Sequence, residues 1–281
     1  MAEQMIFKRT EMKYMLTREQ QSIVLDAMKE HMVPDEYGRS TILSLYLDTP
    51  DHLLIRRSLE HPIYKEKLRM RSYGVASENS KIFVELKKKY DSVVYKRRVG
   101  MTEAQAIEYL RTGRVPKDSQ IVHEINYCLQ HYDHLQPAMM LSYEREAYYD
   151  RDDHEFRMTF DDNILWREDH LSLCDGIYGT PILDGNHVLM EVKTANAIPL
   201  WLVKVLSENH IYKTTFSKYG TAYRTMVQWK QSGQRAQNWQ QGAPGERRLR
   251  DEDSVRLGQS GQGEEDAQCG QSGQENQKAI A

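Results

Sequence analysis

Lys67-Leu-Arg-Met-Arg71 and, a short loop later, Ile82-Phe-Val-Glu-Leu-Lys87 are the two runs whose reading decides the fold. Successive side chains of a strand point to opposite faces. In the first run Lys67, Arg69 and Arg71 share one face, and Leu68 and Met70 the other. In the second, Glu85 and Lys87 lie opposite Ile82, Val84 and Leu86. A charged face backed by an apolar one is the pattern of a sheet packed on one side.

The alternation extends outward from these runs. Strands are predicted at Ile6–Met15, Thr41–Asp48, Lys65–Tyr73, Ile82–Lys88, Ser92–Val99, Met139–Tyr148, Glu155–Asp161 and Val188–Lys193. They are short and separated by turns or helices, which predicts antiparallel pairing in a closed or nearly closed sheet, and eight suffice for a barrel. Capping boxes at Thr17–Gln20 and Thr102–Gln105 open helices expected to reach about His31 and Gly113. The first should bury Ile23, Val24, Ala27 and Met28. Further helices are predicted from Asp118 to about His131, from a first turn holding Pro199, and over Gly220–Trp229.

The charged face is the functional clue. The first strand adds Arg9, Glu11 and Lys13, and the fifth adds Lys96 and Arg98. Later strands add Tyr143 and Arg145, then Arg157, Thr159 and Asp161, then Glu191 and Lys193. With the residues above, that face collects eleven cations against four acids, in a chain whose formal net charge is −3. A solvated sheet face is the plain alternative, but such a face mixes signs because like charges on neighbouring strands repel. One sign over five strands points instead to a slender polyanion. Arginine forks grip phosphate oxygens in pairs, and lysines supply point charge. Glu11, Glu85 and Glu191 are then candidates to hold Mg²⁺ or Mn²⁺, which bind through one or two carboxylates plus phosphate oxygens. Neutralising the crowded cations is their plain alternative role, and for Glu11 and Glu85 it weighs at least as much.

Composition bounds the rest. Of 281 residues, 40% are hydrophobic and 28% charged, a globular balance. The small negative net charge argues against nucleic-acid or membrane-surface binding as a property of the whole surface. Three scattered cysteines offer neither a disulfide framework nor a cysteine zinc site. The start lacks a signal-peptide core, and no apolar run approaches the ~18 residues of a membrane span, so a cytoplasmic setting is expected. From Gln231 to Ala281 the chain has 11 Gln and 8 Gly in 51 residues, and repeats Gly-Gln-Ser-Gly-Gln. That segment is expected to be a disordered tail, with the working domain at residues 1–230. There is no P-loop sequence. His131 and His134 are one helical turn apart, a weak metal signal, and Ser217-Lys218 lies in a turn-like stretch that could reach a ligand.

Taken in order, several short runs resemble the polyphosphate polymerase domain of the vacuolar transporter chaperone (VTC) family, a branch of the triphosphate tunnel metalloenzymes. They are Arg-Thr-Glu-Met-Lys-Tyr at 9–14, Ser-Leu-Tyr-Leu-Asp at 44–48, Leu-Arg-Met-Arg-Ser-Tyr-Gly at 68–74 and Phe-Val-Glu-Leu-Lys at 83–87. Tyr-Lys-Arg-Arg-Val at 95–99, Tyr-Glu-Arg at 143–145, Leu-Met-Glu-Val-Lys at 189–193 and Phe-Ser-Lys-Tyr-Gly at 216–220 follow. The resemblance implies an α+β fold, an eight-stranded antiparallel β-barrel with helices packed outside. It implies transfer of the terminal phosphoryl of ATP to a growing polyphosphate chain, assisted by Mn²⁺ or Mg²⁺. Phosphate contacts would come from Lys13, Arg69, Arg71, Lys87, Lys96, Arg98, Tyr143 and Arg145, with Arg57 as an added candidate. Glu191 would hold the metal, and Ser217 with Lys218 would bind phosphate at the tunnel end. Two departures stand out. Arg9 replaces the first acid of the broader Glu-x-Glu-x-Lys pattern, and Thr215 stands where the family tends to carry a cation, Lys213 being the nearest. Coupling synthesis to transport would need a separate membrane partner. Hydrolysis of triphosphate or polyphosphate, and polyphosphate binding without turnover, use the same lining and remain as alternatives.

Overall fold

The computed structural model describes residues 10–233 except Ser92 and Pro116, so Arg9 and all of the expected tail beyond Gly233 lie outside the described residues. In chain order the elements are β1 (Thr10–Thr17), α1 (Arg18–Met28), β2 (Met32–Pro34), β3 (Ser40–Asp48), α2 (Leu53–Leu59), β4 (Tyr64–Tyr73), β5 (Lys81–Tyr90) and β6 (Val93–Thr102). They continue with α3 (Glu103–Thr112), α4 (Gln120–His131), β7 (Gln136–Asp150), β8 (Arg157–Arg167), β9 (Thr180–Pro181), β10 (His187–Thr194), α5 (Leu200–Glu208), β11 (Lys213–Thr214) and α6 (Lys218–Ser232).

The strands form one antiparallel sheet in the order β11-β1-β10-β8-β7-β3-β4-β5-β6, with β2 beside β7 and β9 beside β8. All eight expected strands are in it. It differs from a closed eight-stranded barrel in two ways: among the described residues it has eleven strands, and β6 and β11 are its open ends. Strand twist, with bulges at Tyr46/Leu47 and Ser142/Glu144, still curls it into a trough. Lys87 on β5 comes within 3.6 Å of Glu11 on β1, six places away in the strand order. Lys67 on β4 meets Ser217, just past β11, at 3.4 Å. Side chains rather than backbone bonds close the lumen.

The apolar faces lie outside, under helices. Leu43, Leu45, Leu68, Met70, Val84 and Leu86 pack against Ala106 and Tyr109 of α3 and Val122, Ile125 and Cys128 of α4. On the other side Leu16, Met158, Phe160, Met190 and Val192 pack against Val24 and Met28 of α1 and Leu202 and Leu206 of α5. Both capping boxes are present. α1 stops at Met28, and Ile23 is 41% exposed, because the helix meets the sheet along the narrower stripe of Val24 and Met28. Pro199 is the N-cap of α5 rather than part of its first turn. The stretch Phe216–Gly220 is no turn: Ser217 caps α6, its Oγ accepting from the Gly220 amide.

α2 has no side-chain cap of its own, its N-cap being His52 in the left-handed region. Asp48, at the end of β3 and fully buried, takes that role from four residues earlier. Its carboxylate accepts from the amides of Thr49 (2.9 Å), Leu54 (2.8 Å) and Ile55 (3.0 Å) and from the Tyr219 hydroxyl (2.9 Å). One carboxylate thus ties the starts of α2 and α6 to β3. Gly220 allows the approach, since a Cβ there would meet Leu59 Cδ2 at 2.9 Å. Asp48→Ala strands several buried donors, and should lower unfolding free energy by at least about 3 kcal/mol, read from urea midpoints.

Candidate functional site

Two buried carboxylate hubs organise the lumen. The first is Glu85 on β5, whose side chain is 1% exposed. Arg69 from β4 donates to Glu85 Oε2 through Nε (2.9 Å) and Nη2 (2.7 Å). Lys96 from β6 approaches Oε1 at 2.9 Å, and Arg98 and Arg71 stand at 3.8 and 3.9 Å. Register explains the gathering, since Glu85 pairs with Arg69 on one side and Arg98 on the other. Burial opposes ionisation of Glu85, but Arg69, Arg71 and Lys96 outweigh it and hold its carboxyl well below the usual range.

The second hub is Asp161 on β8 with Glu191 on β10. Arg145 from β7 grips both Asp161 oxygens at 2.6 Å and reaches Glu191 at 3.2 Å. Lys218, the first residue of α6, donates to both acids. Lys193 (3.1 Å) and Lys13 (3.5 Å) complete the ring around Glu191. Against the burial cost, Lys218, Lys193, Arg145 and Lys13 keep Glu191 ionised, well below its ordinary pKa. Tyr143 joins the hubs: its hydroxyl accepts from Arg71 Nη2 at 3.0 Å, and its ring lies under the Lys218 ammonium at 4.6 Å. Glu11 sits between Lys13 (3.4 Å) and Lys87 (3.6 Å).

The structure therefore brings together Lys13, Arg69, Arg71, Lys87, Lys96 and Arg98, together with Tyr143, Arg145, Ser217 and Lys218 and the acids Glu11, Glu85 and Glu191. Arg157 stays at the rim, 3.9 Å from Asp35. Arg57 does not join: it is exposed on α2, and its charge acts on Tyr132, in the core on the sheet's outer side. Lys213 does not replace the missing cation at Thr215, because it pairs with Tyr14 and shares that residue's outer face. His131 stacks on Tyr127, and among the described residues no group of three or more His, Cys, Asp or Glu is placed to hold a metal.

Tyr46 belongs to the set but carries no charge, so charge counting passed it over; its period-two spacing from Ser44, which accepts from Arg71 at 3.3 Å, was the available signal. Its hydroxyl accepts from Arg69 Nη1 at 3.0 Å, and its ring stacks on Tyr219 at 4.2 Å. Asp161 lies on the charged face by alternation, which by itself assigns it no role.

Burial and charge crowding shift the lumen groups together. Burial drives Lys67 and Lys96 down to about 8. Burial would raise Tyr46, but Arg69, Lys67 and Arg71 override it and bring it to about 8. All three folded values lie below the unfolded ones near 10, so the unfolded chain holds more protons between them and stability rises with pH. The empty protein's urea midpoint should climb from about pH 7.5 to about pH 9. Cys128 and Tyr109, both pushed by burial to about 12, work against that gain and lower stability once the pH passes about 10. At the acid end Glu11 is held at about 2 by Lys87 and Lys13 against the cost of burial, so its share of stability is lost as pH falls from about 4 toward 2. A midpoint that falls between pH 7.5 and 9 would contradict the crowded lumen.

A family model described as the VTC domain matches residues 8–227. No curated protein matches the chain. Among solved structures, a candidate adenylate cyclase from Vibrio parahaemolyticus aligns at 12% identity and TM-score 0.43, over 78% of this chain and 99% of its own. One from Bacillus halodurans aligns at 12% and 0.45, over 75% and 94%. A candidate adenylyl cyclase from Hippeastrum, described as having a dominant triphosphatase activity, aligns at 16% and 0.45, over 74% and 92%.

Proposed function

The chain belongs to the VTC domain family, and on that premise we propose that its lumen is the site of a metal-dependent polyphosphate polymerase using ATP. The observation that carries this reading is the pair of carboxylate hubs, each ringed by four cations and joined through Tyr143. A lumen with so few acids has positive charge to spare for a chain of phosphates. In the reaction, the bond between the β,γ-bridging oxygen and the γ-phosphorus of ATP breaks. A bond forms from a terminal oxygen of the acceptor polyphosphate to that phosphorus, and ADP leaves. Such a transfer needs placement and charge neutralisation more than covalent help.

Arg69, Arg71 and Arg98 offer forks for equatorial oxygens, and Lys13, Lys87, Lys96 and Lys218 offer point charges. Glu85 holds the first group apart and aimed, which makes it a positioning residue in this reading. Glu191 is the better metal candidate. Beside it, across the β8–β10 register, Thr159 Oγ1 is buried with no hydrogen-bond partner, and hard oxygen donors of that kind suit Mg²⁺ or Mn²⁺ or its water. Glu191, with Glu11 nearby, would hold the ion; when bound, it neutralises charge on the transferring phosphoryl.

Purified protein given ATP and Mn²⁺ should produce ADP and an acid-labile polymer visible on a gel. Free phosphate without polymer would mean a hydrolase, and tight polyphosphate binding without turnover a binding module. Glu191→Gln should stay folded, bind tripolyphosphate at least as tightly as the parent, and lose turnover by about a hundredfold or more. Near-normal turnover at ordinary Mn²⁺ would reduce Glu191 to a partner of its four cations.

A further inference from the structure

Past Glu85, the inner face of the β4–β5 hairpin carries four lysines in opposed pairs: Lys67 faces Lys87, and Lys65 faces Lys89. Like charges directly opposite each other destabilise a sheet. The same hairpin pairs its outward cations with care. Lys88, one residue away and on the other face, lies 3.6 Å from Glu124, and Arg97 reaches the same acid at 2.9 Å. Inside, the only carboxylate in reach of the four is Glu11, at 3.6 Å from Lys87, among the described residues. Lys65 donates to the Ser58 carbonyl at 3.2 Å, and Lys67 lies 5.8 Å from the Tyr219 ring centroid and bonds Ser217, so both are held in place by neutral groups. Lys65 and Lys67 are further pressed by burial, which lowers both their pKa values. The contacts of Lys65 and Lys67 position their ammonium groups without neutralising them.

We propose that Lys65, Lys67, Lys87 and Lys89 form a track that continues the lumen away from the reacting centre and holds the distal phosphates of a polyphosphate chain. It rests on the phosphate-binding reading above and adds a length preference to it. Rungs two residues apart are about 6.7 Å apart along a strand, so an extended chain meets a fresh lysine pair at each rung. Lysine suits interior phosphates, which need charge without a fixed geometry, whereas the forked arginines gather around Glu85. Lys65 and Lys89, at the far rung, touch neither hub and are the part of the track to remove.

The test is calorimetric titration of the full chain with inorganic tripolyphosphate and with long-chain polyphosphate. In Lys65→Ala/Lys89→Ala the Kd for tripolyphosphate should stay within about twofold. The Kd for the long chain should rise at least about tenfold, because two charge-assisted contacts to its phosphates are lost. Its salt dependence should also become shallower, since fewer counterions are exchanged. Lys88→Ala should change neither ligand. The double variant should unfold at a urea midpoint no lower than the parent's, because repulsion has been removed; Lys65→Gln/Lys89→Gln, which keeps length and polarity, should show the same selectivity. Unchanged long-chain affinity, or equal loss for both ligands, overturns the track while leaving the phosphate reading in place. A parent that binds neither ligand overturns the phosphate reading itself, and the track with it.

Discussion

Several guanidinium and ammonium groups cannot be folded into one curled sheet without counter-charge, and the whole arrangement answers to that constraint. Glu85 is almost completely buried, with Arg69, Arg71, Lys96 and Arg98 around it. Removing water from one carboxylate is costly, and it is repaid only when several cations share it at short range. Asp161 and Glu191 solve the same problem on the opposite side of the lumen, with Arg145 and Lys218 bridging them. Two hubs hold the cations in fixed directions while leaving them in numerical excess. A ligand of high negative charge density can then meet a preorganised set instead of a mobile one.

That charge logic also explains why the hydrophobic core is divided. A sheet whose inner face is largely polar buries most of its apolar surface on its outer face, so each flank needs its own helices; only a smaller cluster of Ile42, Ile164 and Leu189 packs with Tyr143 on the inner side among the described residues. α3 and α4 cover one flank, and α1 and α5 the other. α6 has a different task. Tyr46, Tyr219, Ala222 and Met226 pack at one end of the lumen, and the Asp48–Tyr219 hydrogen bond holds the start of α6 there. Lys218 sits at that helix start, where a cation is disfavoured by the helix dipole. Its contacts with Asp161 and Glu191 supply the compensation. The helix therefore packs against Tyr46 and inserts a cation into the second hub.

Face assignment was legible in the sequence because alternation is local: a residue's side of a strand follows from its neighbours two positions away. Lys67, Arg69 and Arg71 could be set against Leu68 and Met70 without knowing any partner strand, and the capping boxes at Thr17 and Thr102 needed only four residues each. Charge on one face also pointed to a polyanion as the ligand. Arg57 shows the limit of motif order, since it lies upstream of Arg69 as expected yet sits exposed on α2, a helix with no sequence signal.

What only the tertiary structure decided was how those faces meet. Closure comes from Lys87 reaching Glu11 and Lys67 reaching Ser217, contacts between strands six places apart or between strand and helix cap. The sum of strand twist and two bulges sets that curvature, and no short window of sequence contains it. The division of the acids into a Glu85 hub and an Asp161–Glu191 hub, and the place of Tyr46 beside Arg69, follow from the same curvature. Alternation dictates which side chains enter the lumen; only the bending of the whole sheet dictates which of them touch.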